Sequence, residues 1–274
     1  FLSGVSGQCV ATLSGGGITP RNVRAEWNPT LQNMSIVATG VPGPTAGTCP
    51  ADMSEVGAWC VDKWEASVFS MANGTGTRFG EIADNYGTSL CEDNGNNCTG
   101  IYAISRTGLV PSAFITWFQA QQACMNVGKQ LVPNDIWQAA AAGTNDAMCS
   151  STGVRSTGAL AMCMSRWGIF DMAGNVDEWV ADWTQGAGPA GATNLPVGTF
   201  PAGFGDDEVQ GINVPAGNPA ATVFPPAWTR GGNFNSTGAA AAADAGAGIF
   251  ALRAAYGPDE EDNDVGFRCG RPNR

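Results

Sequence analysis

The chain has 274 residues and carries 24 Asp and Glu against 13 Lys and Arg, a formal net charge of −11. That length buries a large core and suits one big domain, or one domain with an appendage. An acidic balance without any basic run argues against nucleic acid or an anionic membrane as partner, and no apolar run nears the ~20 residues that cross a bilayer. Histidine is absent. This removes a His general base, Ser-His-Asp and Cys-His pairs, and His-bound zinc or iron. The nine cysteines include no Cys-x-x-Cys pair. Their scattered spacing fits disulfides across loops in an oxidising setting, with reduced buried thiols as the alternative. An odd count leaves at least one thiol unpaired or intermolecular. The 38 Gly and 16 Pro describe a loop-rich chain.

Residues 1–47 lack a helical period. Two β-prone runs, 5–13 and 34–41, flank Gly15-Gly-Gly17 and precede Pro42-Gly-Pro44, so this segment reads as an N-terminal β appendage or linker. A change of texture at Cys49 opens the second domain, 48–274. Residues 57–68 read as one strand mixing large apolar and polar side chains. Residues 70–108 form a long Gly/Asn/Thr loop that Cys91 and Cys98 can close locally. A helix is expected over 117–127. Thr116 and Gln119 form a capping box, Ala120, Ala123, Cys124 and Val127 give one apolar stripe, and Gly128 suits the position after its end. A second helix follows Pro133-Asn134-Asp135, with Ile136, Trp137, Ala140 and Ala141 facing inward and Gly143 as its stop.

In the stretch 167–183, Val176, Trp179, Val180 and Trp183 are expected on one side of a strand or short turn. Asp171 and Glu178 bracket Gly174. Two carboxylates around a tight turn are either a hard-cation site, where oxygen ligands favour Ca²⁺, or an acidic surface turn. Residues 184–229 are a long Gly/Pro/Ala insertion of the kind that is functional or mobile. From Arg230 to Cys269 two residue types alternate. Gly231, Gly232, Ile249, Phe250, Leu252, Val265 and Phe267 look like frame. Arg253, Ala255, Tyr256, Glu260, Asp262 and Asp264, set between them, span every side-chain chemistry. This suits a binding surface better than a catalytic one; an ordinary strand, loop and strand with a solvated acidic turn is the alternative.

Several separated motifs occur in one order. They are Cys60-Val-Asp-Lys-Trp-Glu65, Ala123-Cys124 before Gly128-Lys-Gln-Leu131, Ile136-Trp137-Gln138, Gly168-Ile-Phe-Asp-Met-Ala-Gly-Asn-Val-Asp-Glu-Trp-Val180, Arg230-Gly-Gly232 and Gly266-Phe-Arg-Cys269. Together, over residues 49–271, they resemble the formylglycine-generating-enzyme (sulfatase-modifying factor) type of C-type lectin fold. Two departures stand out. Asp177 replaces the usual tryptophan of the Gly-Asn-Val-Trp-Glu-Trp run, and residues 131–137 read Leu-Val-Pro-Asn-Asp-Ile-Trp in place of Leu-Pro-Thr-Glu-Ala-Glu-Trp. The resemblance implies an α+β fold, loop-rich, with two main helices and small antiparallel sheets. It also implies a Cys124–Cys269 disulfide, and a structural Ca²⁺ held by the side chains of Asp171 and Glu178 and the carbonyls of Gly174 and Val176.

The enzyme branch of this family uses a reactive cysteine pair before the Gly-Phe-Arg-Cys end, and no cysteine lies between Cys163 and Cys269. Its iron-dependent sulfoxide-synthase relatives need histidine. Residues 248–268 instead resemble the variable region of diversity-generating retroelement target proteins. Laid on that pattern, the variable positions become Asn235, Ser236, Arg253, Ala255, Tyr256, Glu260, Asp262, Asn263 and Asp264, within a variable region of about 230–268. Positions in the tract 239–247 are left unassigned. The resemblance implies a non-enzymatic receptor or adhesion protein, extracellular or on a cell or virion surface. Its partner would be a protein or surface ligand, cationic or polar because 253–264 holds one Arg against five acids. The alternatives are a non-diversified structural or virion protein of the same fold and, less favoured, a formylglycine-generating-type oxidase.

Overall fold

A computed structural model of the chain describes residues 49–146, 149, 153–183, 226–236 and 246–273, with strands at 8–15, 18–28, 33–42, 198–199 and 208–210. The insertion outside 198–199, 208–210 and 226–229 lies outside the described residues, as do 239–245. Two compact units are distinguished, Phe1–Thr48 and Cys49–Pro272. The first holds a three-stranded antiparallel sheet of β1 (Gln8–Gly15), β2 (Ile18–Asn28) and β3 (Asn33–Pro42). The middle strand was not foreseen. Its charged residues and proline hide the apolar alternation that marks a strand, but Gly15 pairs with Ile18 and so sets the register of the two strands.

The second unit contains three sheets. One four-stranded sheet joins β4 (Met53–Val56), β5 (Trp59–Asp62), β16 (Cys269–Pro272) and β9 (Gln130–Leu131). A three-stranded sheet joins β7 (Arg78–Phe79), β6 (Ala66–Phe69) and β8 (Tyr102–Ser105). A six-stranded sheet runs β11 (Gly198–Thr199), β12 (Glu208–Gln210), β14 (Gly248–Tyr256), β13 (Ala227–Gly231), β10 (Asp177–Trp183) and β15 (Val265–Phe267). With a one-turn helix α1 (Gly87–Leu90) and the helices α2 (Trp117–Met125) and α3 (Asn134–Ala141), this is an α+β, loop-rich fold with two main helices.

The helix starts are local. Thr116 Oγ1 accepts from Gln119 N at 3.2 Å and Gln119 Oε1 accepts from Thr116 N at 3.0 Å, closing both arms of the capping box and satisfying two of the first turn's free N–H groups. Ala120, Ala123 and Cys124 are buried, and Gly128 takes φ +71° two residues beyond the C-cap. In α3, Trp137, Ala140 and Ala141 are buried while Ile136 is half-buried. The single strand expected over 57–68 is two, because the chain turns at Lys63 and Trp64 and sends β5 and β6 to different sheets. Val176, Trp179, Val180 and Trp183 do not share a side. Trp179 packs on Tyr256 and Trp183 on Trp117 and Phe118, whereas Val180 lies in the cluster with Trp137 and Ile169. Helical spacing was applied to an extended strand, in which successive side chains alternate.

Among the described residues four disulfides form, Cys49–Cys60, Cys91–Cys98, Cys124–Cys269 and Cys149–Cys163. Cys124–Cys269 ties α2 to the final strand. Cys91–Cys98 closes the loop between α1 and β8.

The polar centre of the unit is Arg268, wholly buried. Its Nε and Nη2 donate to Glu178 Oε2 and Oε1 at 2.7 and 2.5 Å, Nη1 to Asp62 O at 3.1 Å and Nη2 to Phe170 O at 2.9 Å. Trp137 Nε1 adds a bond to Glu178 Oε2 at 2.7 Å. Beside it, Glu65 Oε2 accepts from Asn175 Nδ2 at 2.6 Å, and Asp171 Oδ2 accepts from Gly158 N at 2.7 Å. Burial, then the Asp171 and Glu178 charges, pushes the Glu65 carboxyl well above its ordinary value, and burial raises Asp171 also.

These contacts bear on the calcium expectation. Of the expected set Asp171, Gly174, Val176 and Glu178, both Glu178 oxygens are engaged by a guanidinium and an indole. A divalent ion there would lie against the buried positive charge of Arg268. Among the described residues no three His, Cys, Asp or Glu side chains are arranged to hold a metal ion.

Two predictions follow from these constraints. Replacing Cys124 and Cys269 together by alanine opens a loop spanning 145 residues and should lower unfolding stability by up to about 5 kcal/mol on the chain-entropy relation. Guanidinium unfolding under non-reducing conditions measures it, and an unchanged midpoint refutes it. Glu178→Gln leaves the Arg268 charge buried with a neutral partner. A loss of about 3–5 kcal/mol is expected by the same measurement.

Candidate functional site

The expected variable residues come from three places: the turn after β13, the end of β14, and the loop from β14 to β15. Each is fixed by its own framework. Arg230 donates to Asn134 Oδ1 at 3.1 Å, to Ile249 O at 3.0 Å and to Gln138 Oε1, and its guanidinium lies 4.8 Å over the Trp137 ring. It is therefore a clamp between α3 and the sheet rather than a displayed side chain. Gly232 has φ +70°, and a Cβ there would stand 2.6 Å from Ala247 Cα. Only glycine fits where the chain ends of the turn approach so closely.

The turn itself is built by Asn233, which is 2% exposed. Its Oδ1 accepts from Asn235 N at 2.8 Å and from Ser236 N at 3.1 Å, while Ser236 Oγ accepts from Asn233 N at 3.2 Å. Side-chain oxygens thus replace the ladder partners this backbone would otherwise lack. Asn235 is exposed, and its Nδ2 reaches Asp264 Oδ2 at 3.2 Å. Ser236 is buried inside the turn.

On β14, Arg253 Nη1 donates to Tyr256 Oη at 2.6 Å, and the guanidinium lies 4.7 Å from the Tyr256 ring centroid. Trp179 meets the same ring edge-on at 6.2 Å. Burial, in the first place, holds the Tyr256 phenol well above its usual range. The loop 257–264 is pinned through its backbone. Trp117 N donates to Pro258 O at 3.0 Å, Phe114 N to Asp262 O at 2.8 Å, and Asp177 N to Asp264 O at 2.7 Å. Fixing these carbonyls leaves Asp259, Glu261, Asp262 and Asn263 exposed, Glu260 half-buried and Asp264 buried. Partial desolvation, then Asp84 and Asp93, raises the Glu261 carboxyl to about 7.

Asn235, Arg253, Tyr256 and Asp264 are therefore drawn together. Asp262 and Asn263 project from the adjoining loop, and Glu260 lies within it. Ser236 and Asp264 do not project, because their polar atoms serve the turn and the loop. Ala255 belongs to β14, and its side chain lies outside the described residues.

Three residues beneath or beside this surface were missed. Asn233 and Asp177 are bonded to one another, Asn233 Nδ2 to Asp177 Oδ2 at 2.9 Å, and Asp177 Oδ2 also stands 3.5 Å from Arg253 Nη1. Glu261 was passed over because it falls on no variable position. Asp177 alone had left a signal in the sequence, as an acid where the motif carries tryptophan.

Residues 145–272 match the family described as Sulfatase-modifying factor enzyme 1-like domain. No curated protein matches the chain. Among solved structures, the Major Tropism Determinant P3c variant aligns at 19% identity with a TM-score of 0.49, covering 98% of this chain and 63% of that one. The I1 variant aligns at 18% and 0.49, covering 93% and 64%. Treponema denticola variable protein 1 aligns at 13% and 0.38, covering 97% and 99%. The chain thus spans somewhat under two thirds of the length of the first two. The stretch similar to a Sulfatase-modifying factor enzyme 1-like domain, residues 145–272, carries the surface just described.

Proposed function

We propose that the chain is a ligand-binding protein of receptor or adhesion type, whose C-terminal surface is diversified by a retroelement to recognise varied targets, and that it is displayed extracellularly on a cell or virion. One observation carries the reading. Chemically unlike side chains from three segments, Asn235 of the turn, Arg253 and Tyr256 of β14, and Asp262 and Asn263 of the loop, stand on backbone held by Asn233, Phe114, Trp117 and Asp177. Such a frame accepts new exposed side chains at little cost, because most surface substitutions shift stability by only about half a kcal/mol. Tyr256 and Arg253 are the residue types that dominate binding hot spots.

The reading is non-enzymatic. A formylglycine-generating oxidase needs a reducible thiol pair at this site. Cys124 and Cys269 instead form the disulfide that anchors the last strand, and the chain has no histidine to hold iron in its place. The test is the coding DNA. A near-identical repeat of the codons for residues 230–269, differing only at adenines and lying beside a reverse transcriptase gene, is expected. Its absence sinks the diversified reading in favour of a non-diversified surface or virion protein of the same fold.

Residues 253–264 hold one arginine and five acids, and three of those acids are exposed. The ligand is therefore cationic or polar. Affinity for a cationic ligand should fall as salt is raised. Asp262→Ala should weaken it roughly two- to fivefold, the size of one exposed charge pair. Titration calorimetry at two salt concentrations checks both, and salt-independent affinity refutes the charge argument. A pH dependence is expected too. Glu261 is protonated below about 7 and charged above it, so binding of a cation should strengthen from pH 6 to pH 8. Glu261→Gln should remove that rise.

A further inference from the structure

The 253–264 segment contains a single cation, Arg253, and its side chain is 16% exposed. Something holds an arginine down on a surface where Asp259, Glu261 and Asp262 stand in water. Tyr256 supplies the ring beneath it and a hydroxyl acceptor. Asp177 supplies the charge, with Oδ2 3.5 Å from Nη1 and its own side chain 5% exposed. Asp177 lies outside every variable segment yet touches all three. Its carboxylate accepts from Asn233, which builds the 233–236 turn, it pairs with Arg253, and its backbone N–H holds Asp264 O.

Strand geometry explains how a residue next to the ionic core can reach that surface. Consecutive side chains of β10 point to opposite faces. Glu178 turns to Arg268 and Trp137. Asp177 turns the other way, to the face shared by Trp179 and Tyr256. An aromatic side chain at 177 offers no negative charge there, and Arg253 would then lack this partner.

We propose that Asp177 is a specificity-determining positioning residue. By fixing the Arg253 guanidinium against Tyr256 it takes the segment's one positive charge out of play, so the surface meets its partner as an anion and selects a lysine- or arginine-rich polypeptide. This deepens the binding function proposed above and rests on it. The effect is coupled to position 253. With an uncharged residue there Asp177 has no charge at 253 to neutralise and still accepts from Asn233, whereas a basic residue is neutralised by it. A carboxylate in the fixed part of the chain therefore limits how far diversification of position 253 can change the sign of the surface.

The test has two readouts on the whole chain. Phenylglyoxal modification of Arg253, followed by peptide mass spectrometry, reports its accessibility, with buried Arg268 as internal control. In Asp177→Asn, Arg253 should react several-fold faster while Arg268 stays protected. Calorimetry at low salt with an octalysine and an octaglutamate peptide as probes reports the charge of the surface. The parent protein should bind octalysine, and the substitution should weaken that binding roughly two- to fivefold, as expected for one released charge. It should improve binding of octaglutamate. Asp177→Ser, too short to reach Arg253, should match the asparagine variant, and Asp177→Glu should restore the parent behaviour.

Unchanged Arg253 reactivity with Arg268 protected overturns the positioning role. Faster Arg253 reactivity with unchanged peptide affinities overturns the specificity role. If the parent binds neither peptide although Arg253 responds to the substitution, the binding function itself has failed, and the proposal falls with it by a distinguishable route.

Discussion

The fold of the larger unit depends on one buried ion pair. Arg268 and Glu178 are bidentate and almost wholly inaccessible. Their bonds join the end of β5, the loop before β10, helix α3 and the last two strands at one point. A charge pair removed from water is stable only when every lone pair and proton finds a partner. Here two carbonyls and an indole complete the set. Because each partner comes from a different element, the requirement to satisfy Arg268 is also a requirement that the sheets meet in one arrangement. The nearby acids extend this demand. Glu65 and Asp171 resist ionisation because they are buried close to Glu178, and their bonds from Asn175 and Gly158 fix the turn at Gly174.

That fixed turn positions the exposed surface. Once Glu178 is locked inward, the alternation of β10 presents Asp177 and Trp179 to the opposite face, beneath Asn233, Arg253 and Tyr256. The parallel pairing of Asp177 with Val265 and of Trp179 with Phe267 sets where β15 begins, and so where the acidic loop before it ends. Framework and surface therefore divide the chemistry. Chemically varied side chains stand on backbone that is bonded elsewhere, and the residues that hold the backbone, Asn233, Asp177, Arg230 and Arg268, are buried. The disulfide from Cys269 to α2 keeps the strand after Arg268 from fraying.

Where sequence and structure part, the cause is identifiable. The capping box at Thr116 and the stop at Gly128 were legible because their bonds span three or four residues. The Cys91–Cys98 ring was legible because only seven residues separate its ends. The strand at 18–28 was not, since its charged and proline positions mask a period of two. Trp179 and Val180 were assigned to one side because a spacing taken from helices was carried into a strand. The partner of Glu178 was not legible for a longer-range reason. Asp171 and Glu178 look like ligands in isolation, and only folding brings Arg268 from 90 residues away to consume Glu178.

By itself, the sequence determined the α+β loop-rich class, the two main helices, the frame-and-variable texture of 230–269, and the excess of acid at 253–264. These are properties of composition, local hydrogen bonds and ordered motifs. The tertiary structure alone decided which of the flagged residues are displayed. Ser236 and Asp264 are turned into the turn and loop, Asn235, Arg253 and Tyr256 converge from separate segments, and Asp177 joins them. Those outcomes hang on side-chain direction and on contacts between residues 20 to 90 apart, which no local pattern encodes. Whether an acid is a ligand, a counter-ion or a surface charge is settled by what the fold places opposite it.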